Sequence, residues 1–570
     1  MSKLAQKFRL LNQPIIWWLF SIAWLGVVCG LAFLWNLGNT GLVDETEPLF
    51  AEAARQMTVT GNWITPYFNE ATRFDKPPLI YWLMALGYQF LGVNPWAVRL
   101  PSALAAILLT LGCFFTLRRF SGSLAAWIGA ALVAFNPQTL VWARTGVSDM
   151  LLSCCLGSAL LCFFWGYSQE GKGQRWYFAC YLFLGLAVLT KGPVGIVLPG
   201  MIIFTFLLYV GKLRQVMGEM RLLQGSLIFL IVTVPWYALV TWQNGAAFID
   251  SFFGYHNLER FTSVVNRHSA PWYFYFLVVL LGFLPWSAYL PVALLKLEFW
   301  RVSHWRRQPR VQQLGIFAFF WLVSIFLFFT IAVTKLPSYV LPLIPAAAIL
   351  VALLFSDAQS TQRRSFFWSG VVNFLLLMVL AIAFIYSPEF IGKDRSAPNL
   401  AELLVQSGIP IWGFLTWLTT ALIVALFLSA KKYWRWLWSV NFLGFIAFIL
   451  FVFSPVTFLV DSARQLPLRE ISATITQLRQ PEEEVLMVGF GKPSVVFYTQ
   501  QPVEFFTRRG QVAAYIKETL ATPRASSSVL LLLEPKYIDR LKLEANEYQI
   551  LSQKLAYLLV RVEREILRKK

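Results

Sequence analysis

The sequence predicts an all-α polytopic membrane protein that ends in a small α/β domain. Three observations carry this. Apolar residues make up 58% of the 570-residue chain and charged residues only 14%, against about 25% charged in an average soluble protein. Apolar stretches long enough to cross a bilayer, which takes about 20 residues, recur through residues 1–460. From residue 461 the pattern changes, and charge is spread through the remainder. A soluble multidomain enzyme is excluded, because one core stops growing near ~250–300 residues and so few charges cannot cover several domains. A disordered chain is excluded by the abundance of bulky apolar side chains.

The first stretch runs from Leu10 to Val43 without a charge, and Ile15–Trp35 is long enough to span. Lys3, Lys7 and Arg9 precede it as in a secretory leader. The apolar stretch exceeds the ~7–15 residues of such leaders and no small-residue cleavage site follows, so an uncleaved helix is expected. Further spans are expected at approximately 97–117, 123–142, 148–168, 176–190, 193–210, 222–242, 272–295, 312–333, 338–356, 366–387, 410–429 and 436–456, about thirteen transmembrane helices in all. With the N-terminus in the cytoplasm, the inside loops receive Arg118/Arg119, Lys172/Arg175, Lys212/Arg214/Arg221, Arg301/Arg306/Arg307/Arg310, Arg363/Arg364 and Lys431/Lys432/Arg435. This obeys the rule that basic residues gather in cytoplasmic loops. The net charge of +19 is then topogenic, and no nucleic-acid partner is expected. An odd number of spans places the C-terminus outside. The protein is expected in the cell (inner or plasma) membrane.

The chain is expected to divide into a transmembrane domain, 1–460, and an extracytoplasmic α/β domain, 461–570. In the latter, Val485–Phe490, Val503–Phe506, Val529–Leu533 and Tyr557–Val562 read as strands, and Gln511–Leu520 and Lys536–Ala545 as helices. Gly489-Phe490-Gly491 is a turn signal, not a phosphate loop. The six cysteines lie in or beside apolar runs without metal spacing, and read as small core residues.

Polar segments on the outer face carry the chemistry. The first is the long loop 36–96, a length that marks functional or internally structured loops. It holds Asp44-Glu45-Thr46-Glu47-Pro48, then Glu52, Arg55 and Arg73-Phe74-Asp75-Lys76-Pro77-Pro78. Pro48 suits the first turn of a helix, so Asp44 to Glu47 either cap that helix or serve a reaction. Pro78–Leu91 is too short to span and reads as an interfacial helix. The second segment is Arg144-Thr145-Gly146-Val147-Ser148-Asp149, where Asp149 is either a helix cap or a functional acid at membrane depth. The third contains His256-Asn257-Leu258-Glu259-Arg260-Phe261; if helical, His256 and Arg260 share a face. Three histidines in the chain do not make a zinc site. The fourth is Lys335-Leu336-Pro337-Ser338-Tyr339-Val340-Leu341-Pro342. Together these offer the carboxylates Asp44, Glu45, Asp75 and Asp149 and the cations Arg55, Arg73, Lys76, Arg260 and Lys335. Cations beside an apolar groove suit a lipid-linked phosphate, which they neutralise more strongly as it leaves. A nearby carboxylate orients or deprotonates an acceptor.

These motifs resemble those of the GT-C glycosyltransferases of the aminoarabinose transferase (ArnT) and protein O-mannosyltransferase kind. Asp44-Glu45 resembles the family's catalytic-loop acid, Phe74-Asp75-Lys76-Pro77-Pro78 its F-[ED]-K-P-P motif, and Lys335 to Pro342 its K-L-P-x-Y-x-L-P motif. Asp149 after Arg144 resembles the second family aspartate, and His256 to Phe261 the H-x-x-x-R-F element. The resemblance implies a GT-C fold and an inverting glycosyltransferase. Its donor would be a hexosyl or pentosyl group on a polyprenyl phosphate such as undecaprenyl phosphate, and its acceptor a glycolipid, such as one of the lipid A kind in a bacterial envelope, or a protein. It implies that Lys76, Arg260, Lys335 and the backbone at Tyr339 hold the lipid phosphate. Asp44, with Glu45 and Asp149, would be catalytic, and Arg55, Arg73, Asp75 and His256 would position substrate. No obligatory cofactor is expected, and a divalent metal is left open. The Arg-Tyr pair that follows the first acid in the family is absent here, and Arg73 replaces an aromatic residue. These departures bear on which sugar and acceptor are used. A transporter or flippase of the lipid-linked sugar is the rival class. It would place polar groups near mid-bilayer, whereas the ionisable residues here stand at the outer edge.

Overall fold

In lipid every backbone N–H and C=O must find its partner within the spanning segment, so the apolar stretches fold as helices. The computed structural model describes residues 14–259, 269–392, 394, 396–506, 509–519 and 526–569. Every segment expected to span is helical. Among the described residues nine helices are long and apolar enough to cross a membrane, and two bent helix pairs raise the number to eleven. The other two expected spans are the helices Gln174–Lys191, with Arg175 and Lys191 at its ends, and Val194–Val210, of 17 residues. The chain is a multi-pass membrane protein.

Both bends have a proline at the break. Ser123–Ala134 and Pro137–Ala143 meet at 63°. Pro137 lacks an N–H to continue the first helix, and the Asn136 side chain accepts from the Thr139 N–H at 2.9 Å to start the second. Phe274–Gly282 and Trp286–Lys296 meet at 111° across Leu284-Pro285. Ser148–Ser168 is the central helix, buried over most of its length and packed on Pro95–Ser121 and Gln174–Lys191. Leu222–Asn244 and Arg364–Ile385 lie at the periphery and expose apolar side chains such as Leu223 and Val379, as a lipid-facing helix does. All six cysteines are free, five of them buried.

The long loop 36–96 is structured. Thr46–Thr60 is a helix, ended by Gly61 in the left-handed conformation at φ +70°. A short hairpin follows, of β1 (Tyr67–Phe68) and β2 (Ala71–Thr72). Leu79–Leu91 is a helix with Ile80, Tyr81, Met84 and Tyr88 inward and Leu86 and Phe90 outward, the two-sided character expected of an interfacial segment.

One buried ion pair fastens this loop to the bundle. Arg99, in the first turns of Pro95–Ser121, donates to Glu47 from Nε (2.8 Å) and Nη2 (2.9 Å). Its Nη1 and Nη2 also bind the carbonyls of Leu37, Thr40 and Gly41. Glu47 in turn accepts the Val43 N–H at 2.8 Å and the Gly146 N–H at 2.7 Å. Gly146 must lack a side chain, because a Cβ there would stand 2.4 Å from Val98 Cγ1.

The last helical run, Lys431–Leu478, passes residue 461 without a break. It leads into a five-stranded sheet ordered β4-β3-β5-β7-β6. The strands are β3 (Glu484–Val488), β4 (Val503–Phe506), β5 (Ser528–Leu533), β6 (Tyr548–Lys554) and β7 (Tyr557–Glu563). β3 is parallel to β4 and β5, with Val488 opposite Phe506 and Leu533, while β7 runs antiparallel to β5 and β6. The four expected strands are present within one or two residues at their ends. The fifth, β6, was not expected: as an edge strand it carries Gln549, Ser552, Gln553 and Lys554 and shows no apolar alternation. The expected helix 536–545 stops at Leu541, where Lys542 turns left-handed at φ +55°. The expected helix 511–520 is Arg509–Thr519, with Leu520 outside the described residues.

Removing one partner of a buried pair strands the other charge, at a cost of ~3–5 kcal/mol. Arg99→Met and Glu47→Gln are each expected to lower the thermal unfolding midpoint of the purified protein in detergent by several degrees. Glu298→Gln, which parts a largely solvent-accessible pair with Arg301, should leave it unchanged.

Candidate active site

The Phe74-Asp75-Lys76 segment is set by aromatic packing beneath it. Phe74 is buried against Phe248 in an edge-to-face contact at 5.5 Å, in a cluster with Trp236, Val240 and Phe252. The Trp82 and Trp236 indoles donate to the carbonyls of Trp63 and Ile64 at 2.8 and 3.0 Å. On this base Asp75 accepts from Arg73 Nη2 at 2.6 Å and from the Tyr81 hydroxyl at 3.1 Å. Burial alone would raise the Asp75 carboxyl, but Arg73, Lys76 and His256 outweigh it and hold it below the ordinary carboxylate range. Arg73 also lies over the Phe50 ring at 5.3 Å. Lys76 Nζ donates to the Asp75 carbonyl at 2.6 Å.

Asp149 sits in the first turn of the central helix but does not cap it: the N-cap position is Val147. Its Oδ1 accepts from Lys191 Nζ at 2.8 Å, and the Ser338 hydroxyl reaches the same carboxylate. Lys191 stands at the end of Gln174–Lys191 and lies 5.3 Å from the centre of the Tyr339 ring. Asp44 is held from the other side, by the C-terminal domain. Its Oδ1 accepts the Ser494 N–H at 3.0 Å and its Oδ2 the Ser494 hydroxyl at 2.5 Å. Burial pushes the Asp44 carboxyl up to about 6, against the lowering effect of Ser494 and Lys492.

Three cavities join these groups. A central one of about 600 Å³ is lined by Asp44, Asp75, Lys76, Asp149, Lys191 and Tyr339. A second, of about 230 Å³, shares Asp75, Lys76, Asp149, Lys191 and Tyr339 and is walled by apolar side chains including Val197, Phe252 and Phe328. The third, of about 420 Å³, shares Asp44 and is polar, with Arg144, Asp394, Arg464 and Lys492 on its walls. Asp44 therefore faces the polar side of the central cavity, and Lys76 and Lys191, together with Asp75 and Asp149, face the apolar side. Among the described residues no group of three or more His, Cys, Asp or Glu is placed to hold a metal ion.

The structure thus brings together Asp44, Asp75, Lys76, Asp149 and Tyr339, with His256 on the wall of the apolar cavity and Arg73 behind Asp75. Three expected residues stand apart. Glu45 is exposed and lines none of these cavities, its carboxylate turned to Lys492 at 3.6 Å. Arg55 is buried in its own helix, paired with Glu52 at 2.7 Å. Lys335 Nζ donates to the carbonyls of Thr330 and Ala332 at 2.7 Å, closing the end of Leu314–Ile331, the place where a cation is favoured by the helix dipole. The Tyr339 N–H is bonded to the Leu336 carbonyl at 3.1 Å. Arg260 lies outside the described residues, so its expected place beside Lys76 does too. Sequence reasoning missed Lys191, reading Lys191-Gly192-Pro193 only as a break between short helices. A lysine closing a long apolar run was the available signal. It also missed Ser494.

The architecture is the GT-C fold. Residues 75–239 match the family model of dolichyl-phosphate-mannose-protein mannosyltransferase, and residues 478–570 that of the C-terminal domain of cyanobacterial RgtA-type glycosyltransferases. The chain superimposes on ArnT from Cupriavidus metallidurans, in its crystal structure bound to undecaprenyl phosphate, with a TM-score of 0.77 and 23% identity over 95% of this chain and 98% of that one. In sequence it is similar to two undecaprenyl phosphate-alpha-4-amino-4-deoxy-L-arabinose arabinosyl transferases. That of Pseudomonas fluorescens is 31% identical over 62% of this chain, and the match spans 63% of that relative's length. That of Pseudomonas paraeruginosa is 29% identical over 71% of this chain and 72% of its own.

The Asp149–Lys191 pair predicts strong coupling. Asp149→Asn and Lys191→Met are each expected to destabilise the protein by ~3 kcal/mol. The double variant should be no less stable than either single one, as read from thermal unfolding in detergent.

Proposed function

We propose that this chain is an integral-membrane glycosyltransferase. It moves a sugar from a polyprenyl-phosphate donor, such as undecaprenyl phosphate sugar, to an acceptor on the outer side of the cytoplasmic membrane. The N-terminus lies in the cytoplasm in this reading, and the C-terminal domain outside. The observation that carries it is the central cavity, which has Asp44 on its polar side and, on its apolar side, the ammonium groups of Lys76 and Lys191 beside the carboxylates of Asp75 and Asp149. The similarity to the arabinosyl transferases supports the same reading.

The polyprenyl chain lies along the apolar cavity, and its phosphate meets Lys76 and Lys191. Asp44 accepts the proton of an acceptor hydroxyl as that oxygen bonds to the anomeric carbon. The bond from that carbon to the phosphate oxygen breaks, and the departing phosphate gains a second negative charge. Lys76 and Lys191 bind that charge more tightly than the ground state, which is where the rate comes from. Asp149 holds Lys191 in place, and Asp75 and Arg73 fix the turn that presents Lys76. Because acid and cations flank the cavity from two sides, one displacement with inversion is favoured. The charge that a divalent ion supplies in other phosphate-leaving reactions is supplied here by ammonium groups. The acceptor enters through the polar cavity, where Arg144 and Lys492 favour an anionic glycolipid of the lipid A kind; a protein hydroxyl is the second reading.

The test is transfer of a labelled sugar from synthetic undecaprenyl-phosphate donor by the purified protein in liposomes, scored by mass spectrometry of the acceptor lipids. Lys76→Ala is expected to raise the donor KM at least about tenfold, and Asp44→Asn to lower kcat ~10²-fold or more with little change in KM. Turnover unchanged in both variants would refute the site. Since Asp44 must be ionised to accept a proton, kcat/KM should fall as the pH drops through about 6, the value to which burial raises its carboxyl.

A further inference from the structure

The C-terminal domain reaches the reacting carboxylate directly. Ser494 is fully buried in that domain and spends both of its donors on Asp44, one on each carboxylate oxygen. Neighbouring contacts tie the rest of the same turn to the same region. The Leu42 N–H donates to the Tyr498 hydroxyl at 2.8 Å, and the Gly41 N–H to Asp461 at 2.6 Å. Farther along the loop, Asn69 exchanges two hydrogen bonds with the backbone of Val503, at 2.8 and 2.9 Å.

We propose that Ser494 is a positioning residue for the transfer reaction, and that the C-terminal domain is through it a working part of the active site. This rests on the proposed role of Asp44 as the base. Two donors from one residue fix both the place and the plane of the carboxylate. Each oxygen keeps a lone pair for the acceptor hydroxyl. A carboxylate free to rotate would lose the near-attack geometry, and misplacement of about 1 Å costs on the order of a hundredfold in rate. The same bonds favour the ionised form of Asp44. The other titratable groups facing it are Lys492, which acts with Ser494, and Glu45 and Tyr557, of which Glu45 acts against it. Arg144, Asp394, Asp461 and Arg464 line the remainder of the cavity.

The test uses the full chain in liposomes with the undecaprenyl-phosphate donor. Ser494→Ala is expected to lower kcat roughly tenfold or more while leaving the donor KM within about twofold, and to move the acid limb of the kcat/KM profile to higher pH. Tyr498→Phe anchors the same turn but does not touch Asp44, so it should slow the reaction without moving that limb. If Ser494→Ala does not fold, Ser494→Cys keeps a weaker donor and should fall between wild type and the loss expected for alanine. Wild-type kcat in Ser494→Ala, or a loss with the acid limb unmoved, overturns the proposal. Failure of the underlying reading is recognised separately, by Asp44→Asn turning over as fast as wild type, and it overturns both.

Discussion

Arg99 decides where two acids of the cavity, Asp44 and Asp149, stand. It enters from the N-terminal end of a spanning helix with all three guanidinium nitrogens engaged, on Glu47 and on the carbonyls of Leu37, Thr40 and Gly41. The pair is almost wholly buried, with side-chain exposures of 4% and 1%, so leaving either charge alone would be expensive. Asp44 belongs to the turn between Gly41 and Glu47. Asp149 follows three residues after Gly146, whose N–H binds the same Glu47 carboxylate. Three stretches far apart in sequence are thereby fixed to one guanidinium, which is the rigidity that a catalytic constellation requires.

Around this fixed point the charges are arranged by surroundings. Lys191 and Lys76 border apolar walls, where a phosphate is held more strongly than in water. Asp44 borders the polar cavity, where burial and the hydrogen bonds from Ser494 oppose one another. Its carboxyl at about 6 is mostly ionised at neutral pH yet more basic than an ordinary aspartate, a compromise that suits proton transfer. Asp75 is treated differently by its neighbours: Arg73, Lys76 and His256 keep it anionic, and it serves to hold the turn.

Much of the fold was legible because membrane burial imposes a simple pattern. Every apolar run expected to span is helical, and the strands at Val485, Val503, Val529 and Tyr557 were visible as apolar runs of strand length. The edge strand Tyr548–Lys554 was not, since one of its faces meets water and its side chains are mostly polar. The motifs around Asp44, Lys76, Asp149 and Tyr339 were legible, and these residues do meet. What a linear reading could not supply was which charge is spent on which partner. Lys335 and Arg55 look like free cations in sequence, yet one closes a helix end and the other pairs with Glu52 within its own helix. Lys191 looked like punctuation between helices and is the partner of Asp149. Ser494 carries no signal at all, because its importance lies in a contact across 450 positions of sequence.

The account comes down to where a polyprenyl phosphate sits. A structure of the purified protein with undecaprenyl phosphate, solved by electron cryomicroscopy in lipid nanodiscs, measures this directly. The phosphate oxygens should lie within hydrogen-bond distance of Lys76 Nζ and Lys191 Nζ, ~2.7–3.2 Å, with the lipid tail along Val197, Phe252 and Phe328. A phosphate bound away from both lysines, or on the side of the bundle that bears the arginine-rich loops, would contradict it.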